Sequence, residues 1–122
     1  MRTIKFRGMP IEDYGDTKWF YGGIVLNYDD KLAYIDSPGN GPIPVRWETV
    51  GEFTGLTDSN GREVYEGDIV NYISDVPGLI EFKESSYWIT NRKGQSIPLF
   101  SKRKSILGNI HENPELLSEV NE

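Results

Sequence analysis

The chain has 122 residues, a formal net charge of −6 and no cysteine. This length predicts one domain or two very small ones, and the missing cysteine excludes disulfides, thiolate zinc sites and cysteine nucleophiles. The acidic balance argues against non-specific nucleic-acid binding over the whole surface. Because the longest apolar runs are only a few residues, we expect no signal peptide, no membrane span and a cytoplasmic location.

Scattered glycine and proline divide the N-terminal half into short segments, which indicates an all-β fold. The predicted strands here cover residues 4–7, 19–21, 24–26 and 32–35. Glycine pairs distort strands, so we expect a bend or bulge at Gly22 and Gly23. Residues 37–42 are six turn-forming residues in a row and are predicted to form a loop.

The C-terminal half has clearer turn signals. The predicted strands cover residues 50–56, 62–65, 69–73, 79–82, 87–90, 97–100 and 106–110. Asn60 and Gly61 form the strongest hairpin signal, because both residues tolerate positive φ. Pro98 places the strand that contains it at a sheet edge, and Asn113 followed by Pro114 predicts a helical turn. We divide the chain into an N-terminal β-hairpin region, residues 1–47, and a small C-terminal barrel with that helical turn, residues 48–122.

No catalytic, cofactor or metal site is predicted. His111 is the single histidine, no G-x-S-x-G segment presents a serine, and we interpret His111 as a strand-end residue. Glu66 and Asp68 are two carboxylates that can serve as acid and base. We favour a turn instead, with Gly67 at positive φ and Asp68 accepting backbone N–H groups. The Asp58 turn lacks the oxygen ligands that a calcium loop needs.

Two stretches remain as candidate partner surfaces. The candidate residues are Trp19, Phe20 and Tyr21, together with Arg92, Lys93, Lys102, Arg103 and Lys104. Aromatic residues among charges can stack nucleobases, although they more often fill a small core or an interface. The segment from Ser85 to Lys104 has five bases and no acid, and it either contacts phosphates or forms a solvated hairpin edge.

Three segments are distinctive as ordered sequences. They are Val50–Val70, which reads VGEFTGLTDSNGREVYEGDIV, the ending Leu107–Leu117, which reads LGNIHENPELL, and the opening Met1–Arg7. Together they resemble the YopX family. The resemblance implies a phage or prophage origin, the bacterial cytoplasm, and an SH3-like β-barrel after a smaller N-terminal β region. It implies no activity, so no catalytic residue is carried over. Turn chemistry alone explains Asn60, Gly61, Glu66, Gly67 and Asp68.

Three functions follow as hypotheses. The first is a non-enzymatic module that binds a protein, since small barrels present a loop-lined face to partners. The second is weak, sequence-independent binding of nucleic acid by the basic stretch. The third is an enzyme that uses the Glu66 and Asp68 carboxylates. We also expect self-association, because edge strands and many aromatic residues favour pairing across a symmetric interface.

Overall fold

The computed structural model describes residues 2–99 and 104–118, and these form eleven β-strands and two 3-10 helices. The strands are β1 Phe6–Gly8, β2 Phe20–Asn27, β3 Leu32–Ser37, β4 Gly41–Val45, β5 Gly51–Thr57, β6 Glu63–Tyr65, β7 Asp68–Ile73, β8 Val76–Lys83, β9 Ser86–Asn91, β10 Ser96–Pro98 and β11 Ile106–Asn109. The 3-10 helices are Trp47–Thr49 and Pro114–Leu117. The predicted all-β class is therefore confirmed.

The strands form two antiparallel sheets in a chain that divides into two compact units, residues 1–53 and 54–122. One sheet has the strand order β4-β3-β2-β1-β5-β6. The boundary between the two units falls within β5, so β6 belongs to the second unit. The other sheet has the order β10-β9-β8-β7-β11. Neither sheet closes into a barrel among the described residues, so the SH3-like barrel stays a prediction, as does the division between residues 47 and 48.

Each unit has its own hydrophobic core, built from the alternate residues of its strands. The first core is formed by the buried residues Phe20, Ala33, Ile35, Ile43 and Val45. The second is formed by Val64, Val70, Tyr72, Ile80 and Ile89. Burial of one such aliphatic or aromatic side chain stabilises a fold by about 1.5–3 kcal/mol. Successive side chains of a strand point to opposite sides of the sheet, so these residues point into the cores and the residues between them point outward.

Strand β4 corrects the prediction of a loop over residues 37–42. Pro42 and Pro44 lie opposite Asp36 and Tyr34 in the pairing of β4 with β3. The carbonyl of Pro44 accepts a hydrogen bond from the amide of Ile11, so Pro44 turns its backbone away from β3. The N–H groups that both prolines lack would therefore point away from β3, so the pairing of β4 with β3 loses no donor.

The glycine pair in β2 lies within one continuous strand, which corrects the expected bend between two segments. Residues Phe20–Gly22 pair with β1, and residues Gly23–Asn27 pair with β3. Gly22 has φ +157°, and a Cβ placed there would be 2.1 Å from the carbonyl oxygen of Asp36. The glycine is therefore needed because two backbones approach closely where the strand changes partner.

Candidate functional site

The predicted hairpin turn at Asp58–Gly61 is organised by the buried carboxylate of Asp58. Its Oδ1 accepts the amides of Asn60 at 2.9 Å and Arg62 at 2.8 Å. Its Oδ2 accepts the amide of Ile106 at 3.1 Å and lies 3.2 Å from the Arg62 guanidinium. Gly61 has φ +83°, as a hairpin glycine requires. The carboxylate thus joins the β5–β6 turn to β11, and it has no open position for a substrate or metal.

The charge of Asp58 is maintained by its surroundings. Burial by itself would raise the pKa of this carboxyl. Backbone N–H groups of Ile106, Arg62 and Asn60, together with the positive charge of Arg62, outweigh burial and hold the pKa below its ordinary value. Asp58 is therefore ionised near neutral pH and acts as a structural acceptor.

The Glu66–Asp68 segment forms the tight turn that the sequence predicts. Gly67 has φ +96°, its amide donates to the carbonyl of Ile80 at 2.9 Å, and its carbonyl accepts the amide of Ile110 at 2.9 Å. The Asp68 side chain is 2% exposed, and its Oδ2 accepts the amide of Tyr65 at 2.7 Å. Glu66 is half-buried beside them. Gly67 and Asp68 are therefore both structural residues of this turn.

The ending Leu107–Leu117 is organised in the same way by a buried amide. Asn109 Oδ1 accepts the amides of His111 and Glu112, and Asn109 Nδ2 donates to the carboxylate of Glu112 at 2.8 Å. His111 therefore lies in a turn just after β11 instead of at the end of a longer strand. Asn113 precedes the 3-10 helix as predicted, but its side chain accepts the amide of Asn109 instead of capping that helix.

Three consecutive aromatic residues, Trp19 just before β2 and Phe20 and Tyr21 at its start, do not form one surface. Phe20 is buried in the first core. Trp19 is half-buried, and the guanidinium of the buried Arg7 stacks 4.4 Å from its ring centroid. Tyr21 is 41% exposed. Strand alternation separates Phe20 from its two neighbours, and of these three residues Tyr21 is the most exposed.

An apolar surface that the sequence analysis missed lies on the outward face of β2, β3 and β4. Val25, Tyr34 and Pro44 are directly opposite one another across the three strands. Val25 is 59% exposed, and Tyr34 and Pro44 are half-buried. On the same side of the sheet, Leu32 on β3 is exposed next to Tyr34, and the exposed Tyr21 on β2 lies beyond the pair of Gly23 and Asp36. We call five of these residues the outer face: Val25, Tyr34, Pro44, Tyr21 and Leu32.

The alternation Pro42-Ile43-Pro44-Val45 was the available signal for the third strand of the outer face. Ile43 and Val45 are buried in the first core, so their prolines must point to the opposite side. The loop predicted over residues 37–42 includes Pro42, and no strand is predicted for the residues that form β4. Without β4 the outer face has only two strands, and its central row is incomplete.

The basic stretch is brought partly together at one end of the second unit's sheet. Arg92 and Lys93 lie in the turn between β9 and β10, and Lys93 is exposed. Lys104 is half-buried, and its Nζ donates to the carbonyl of Tyr72 near the end of β7 at 2.8 Å. Lys102 and Arg103 lie outside the described residues.

A cleft of about 420 Å³ opens at this end of the sheet. Its lining residues are Asp75, Val76, Pro77, Asn91, Arg92, Lys93 and Gln95. They come from the β7–β8 turn with the start of β8, and from the end of β9 with the β9–β10 turn, which the pairing of Gly78 with Asn91 places side by side. Two of the predicted cations therefore border a concave surface that also has apolar lining.

A second cleft, of about 290 Å³, lies in the first unit along the loop of residues 9–18. Its lining includes Glu12 and Asp13 as well as Lys18 and Arg46. Asp13 is occupied locally, because its Oδ1 accepts the amide of Gly15 at 2.8 Å. Acids and bases offset each other here, so the lining does not select one class of charged ligand.

Residues 2–99 and 104–118 contain no group of three or more His, Cys, Asp or Glu side chains arranged to hold a metal ion. Within the same residues, no helix has the length and apolar character needed to cross a membrane.

The fold and its turns define a two-unit, all-β protein whose most distinctive sequence segments form structural turns. The model of the family described as YopX protein matches residues 25–118. The chain therefore belongs to the YopX family, which confirms the resemblance of the Asp58 and Glu66 turns and of the ending Leu107–Leu117.

One solved structure is similar in fold over almost the whole chain. It is the crystal structure of protein EF1440 from Enterococcus faecalis, with 22% sequence identity and a TM-score of 0.59. The similarity covers 97% of this chain and 100% of that chain. No curated protein matches the chain. The likeness to EF1440 supports the fold.

Proposed function

We propose that this protein is a non-enzymatic interaction module that binds another protein through the outer face. The observation that carries the proposal is the cross-strand row of Val25, Tyr34 and Pro44, with Val25 59% exposed in the middle of a regular strand. Apolar side chains opposite one another on a flat sheet face form a continuous surface that gains free energy when a partner removes it from water.

The chemistry of the outer face favours a protein over a nucleic acid. None of its five members is charged. On the same side of the sheet, the acid Asp36 lies opposite Pro42, and the cation opposite Tyr21 is Arg7, which is buried with its guanidinium over the Trp19 ring. Phosphate binding needs cations, whereas an apolar row needs apolar groups on the partner. A second copy of this chain brings a net charge of −6 against another −6, and this repulsion favours a different protein.

The other two hypotheses have weaker support. Binding of nucleic acid relies on the basic stretch, where Lys104 already donates to the carbonyl of Tyr72. Catalysis relies on Glu66 and Asp68, where the Asp68 carboxylate is buried and holds the turn. An SH3-like arrangement of the second unit, a phage or prophage origin and a cytoplasmic location remain part of the proposal, supported by the family resemblance.

Site-specific photo-crosslinking tests the outer face. A photoreactive amino acid replaces Val25 in the tagged full chain, and the protein is irradiated in a bacterial lysate treated with nuclease at high salt. Position Leu107 is the matched control, because it is 45% exposed on β11 of the second unit and lies outside the outer face. We expect a discrete cross-linked protein at position 25 that is absent at position 107.

A substitution then measures what the outer face contributes. Val25→Lys places a charge in the middle of the apolar row, while its exposed position leaves the core untouched. Capture of the cross-linked partner should fall at least about tenfold, as expected when a central apolar contact of an interface is lost. Equal capture by Val25→Lys and Leu107→Lys, or a cross-linked product that nuclease removes, would contradict the proposal.

A further inference from the structure

The end of the second unit's sheet combines positive charge with exposed apolar side chains. Ile73 and Val76 are paired across the Ser74–Asp75 turn and are 55% and 45% exposed. Arg92 and Lys93 lie in the turn that follows β9, beside this tip and across the same cleft. The whole chain has a net charge of −6, so a cleft with two cations and one acid differs in charge from the rest of the molecule.

The turn that presents the two cations is held rigidly by its own hydrogen bonds. Asn91 Oδ1 accepts the amides of Lys93 at 3.0 Å and Gln95 at 2.9 Å, and Asn91 Nδ2 donates to Gln95 Oε1 at 2.9 Å. The amide of Gly94 also donates to the carbonyl of Asn91. A turn that is ordered before binding loses little conformational entropy when a ligand arrives.

We propose that this cleft binds an acidic peptide segment of another protein. Carboxylates of the segment face Arg92 and Lys93, and a neighbouring apolar side chain packs on Val76 and Pro77. The proposal rests on one cleft of about 420 Å³ that has cations in the β9–β10 turn and apolar side chains at the start of β8. Charge at the rim of a site speeds association and selects partners of opposite sign, and the apolar contact adds affinity.

Nucleic acid fits this cleft less well. Among the described residues its lining has no aromatic side chain on which a base could stack, and stacking is a principal sequence-tolerant contact with single strands. The carboxylate of Asp75 also lines the cleft, where it repels phosphate groups. An acidic peptide meets the same repulsion at fewer points, because its charges are separated by neutral residues.

The acidic-segment site is independent of the proposed outer face and involves different residues. The two sites can hold a partner together or separately, so the two proposals need separate readouts. Val25→Lys changes only the outer face and should leave peptide binding in the cleft unchanged. Failure of the cross-linking at position 25 therefore counts against the outer face, and failure of peptide binding counts against the cleft.

Chemical-shift titration of the isotope-labelled full chain tests the cleft. The probe is a short acetylated and amidated peptide in which glutamate and leucine alternate. We expect saturable shifts in the amides of residues 73–77 and 91–95, which form and border the cleft. The double change Arg92→Gln and Lys93→Gln should weaken the peptide about tenfold, as expected from two solvent-accessible charge contacts.

Matched controls separate charge, apolar contact and fold. Lys18→Gln and Lys31→Gln remove two exposed cations from the first unit, change the net charge equally, and should not affect binding. Two further peptides, one with glutamine in place of glutamate and one with serine in place of leucine, should each bind the unaltered chain more weakly. These two controls do not depend on whether a protein variant folds. The proposal is overturned if the shifts are absent or scattered over the chain, or if the Arg92 and Lys93 double variant binds the peptide as tightly as the Lys18 and Lys31 double variant. It is also overturned if a short oligodeoxythymidine binds the same residues more tightly than the peptide does.

Discussion

At the scale of single residues, buried side chains with several acceptor contacts organise the segments that characterise the family. The side chain of Asp58 accepts hydrogen bonds from three backbone amides, and that of Asn109 accepts from two. An apolar residue at either position would leave those amides without an acceptor. Such groups are costly to alter, because every buried donor left unsatisfied destabilises the fold by about 1–3 kcal/mol.

Asp58→Asn should destabilise the protein by about 2 kcal/mol at neutral pH, because hydrogen bonds to a charged acceptor are lost. The amide nitrogen of asparagine cannot accept from Ile106 or pair with Arg62. Because the folded pKa of Asp58 lies below the ordinary value of 3.8, its stabilisation is fully present above that value. It is lost as the pH falls through the folded pKa.

Urea unfolding of Asp58→Asn and the unaltered chain at several pH values measures this. The difference in unfolding free energy should be largest near neutral pH and shrink under acid conditions. The exposed Asp16→Asn is the control and should change stability little. A difference between Asp58→Asn and the unaltered chain that does not depend on pH would show that the charge of Asp58 has no part in holding the turn.

At the scale of elements, glycine is decisive in the turn between β6 and β7. Gly67 has φ +96°, and both its amide and its carbonyl are hydrogen-bonded, to Ile80 and Ile110. Gly67→Ala should therefore destabilise by on the order of 1 kcal/mol or more, because the turn cannot relax without giving up those bonds. Thermal unfolding followed by circular dichroism measures the loss.

Gly23→Ala is the matched control for the turn. Gly23 lies in β2 with no atom within 4 Å of an added Cβ and without the positive φ of Gly67. It should keep the melting temperature or raise it slightly, since alanine restricts the unfolded chain. Equal melting temperatures for Gly67→Ala and Gly23→Ala would refute the turn interpretation.

Local chemistry made some elements predictable from sequence and hid others. The Asn60–Gly61 hairpin, the Gly67 turn and the edge strand at Pro98 follow from residues that restrict their own backbone, and all three are present. Strand β4 was missed because its prolines resemble a loop until the neighbouring strand β3 is known.

The candidate site was less predictable for the same reason. The contact of Asp58 with Ile106 joins residues 48 positions apart, which no local pattern reveals. The outer face depends on the register of three strands, and the cleft depends on two turns that meet only after β8 pairs with β9. The residue types indicated candidate contact surfaces, whereas only the strand pairing shows which side chains lie on the same surface.

At the scale of the whole molecule, an acidic chain carries an apolar outer face and a cleft that is locally basic. The net charge of −6 keeps copies apart by long-range repulsion, while apolar contact acts only at short range. Added salt screens the first effect, with a Debye length of about 10 Å at 0.1 M and about 3 Å at 1 M, and leaves apolar burial in place. Salt therefore distinguishes the two contributions.

With no partner present, we expect the purified chain to self-associate weakly through the outer face at high protein concentration. Self-association should strengthen as salt rises, because repulsion between acidic copies is screened while the contact of Val25, Tyr34 and Pro44 persists. Light scattering over a series of salt and protein concentrations measures the average mass. Val25→Lys should return the chain to a monomer at every salt concentration, whereas Leu107→Lys should not. A strict monomer for the unaltered chain under all these conditions would rule out self-association, and association that weakens with salt would assign it to charged groups instead of the outer face.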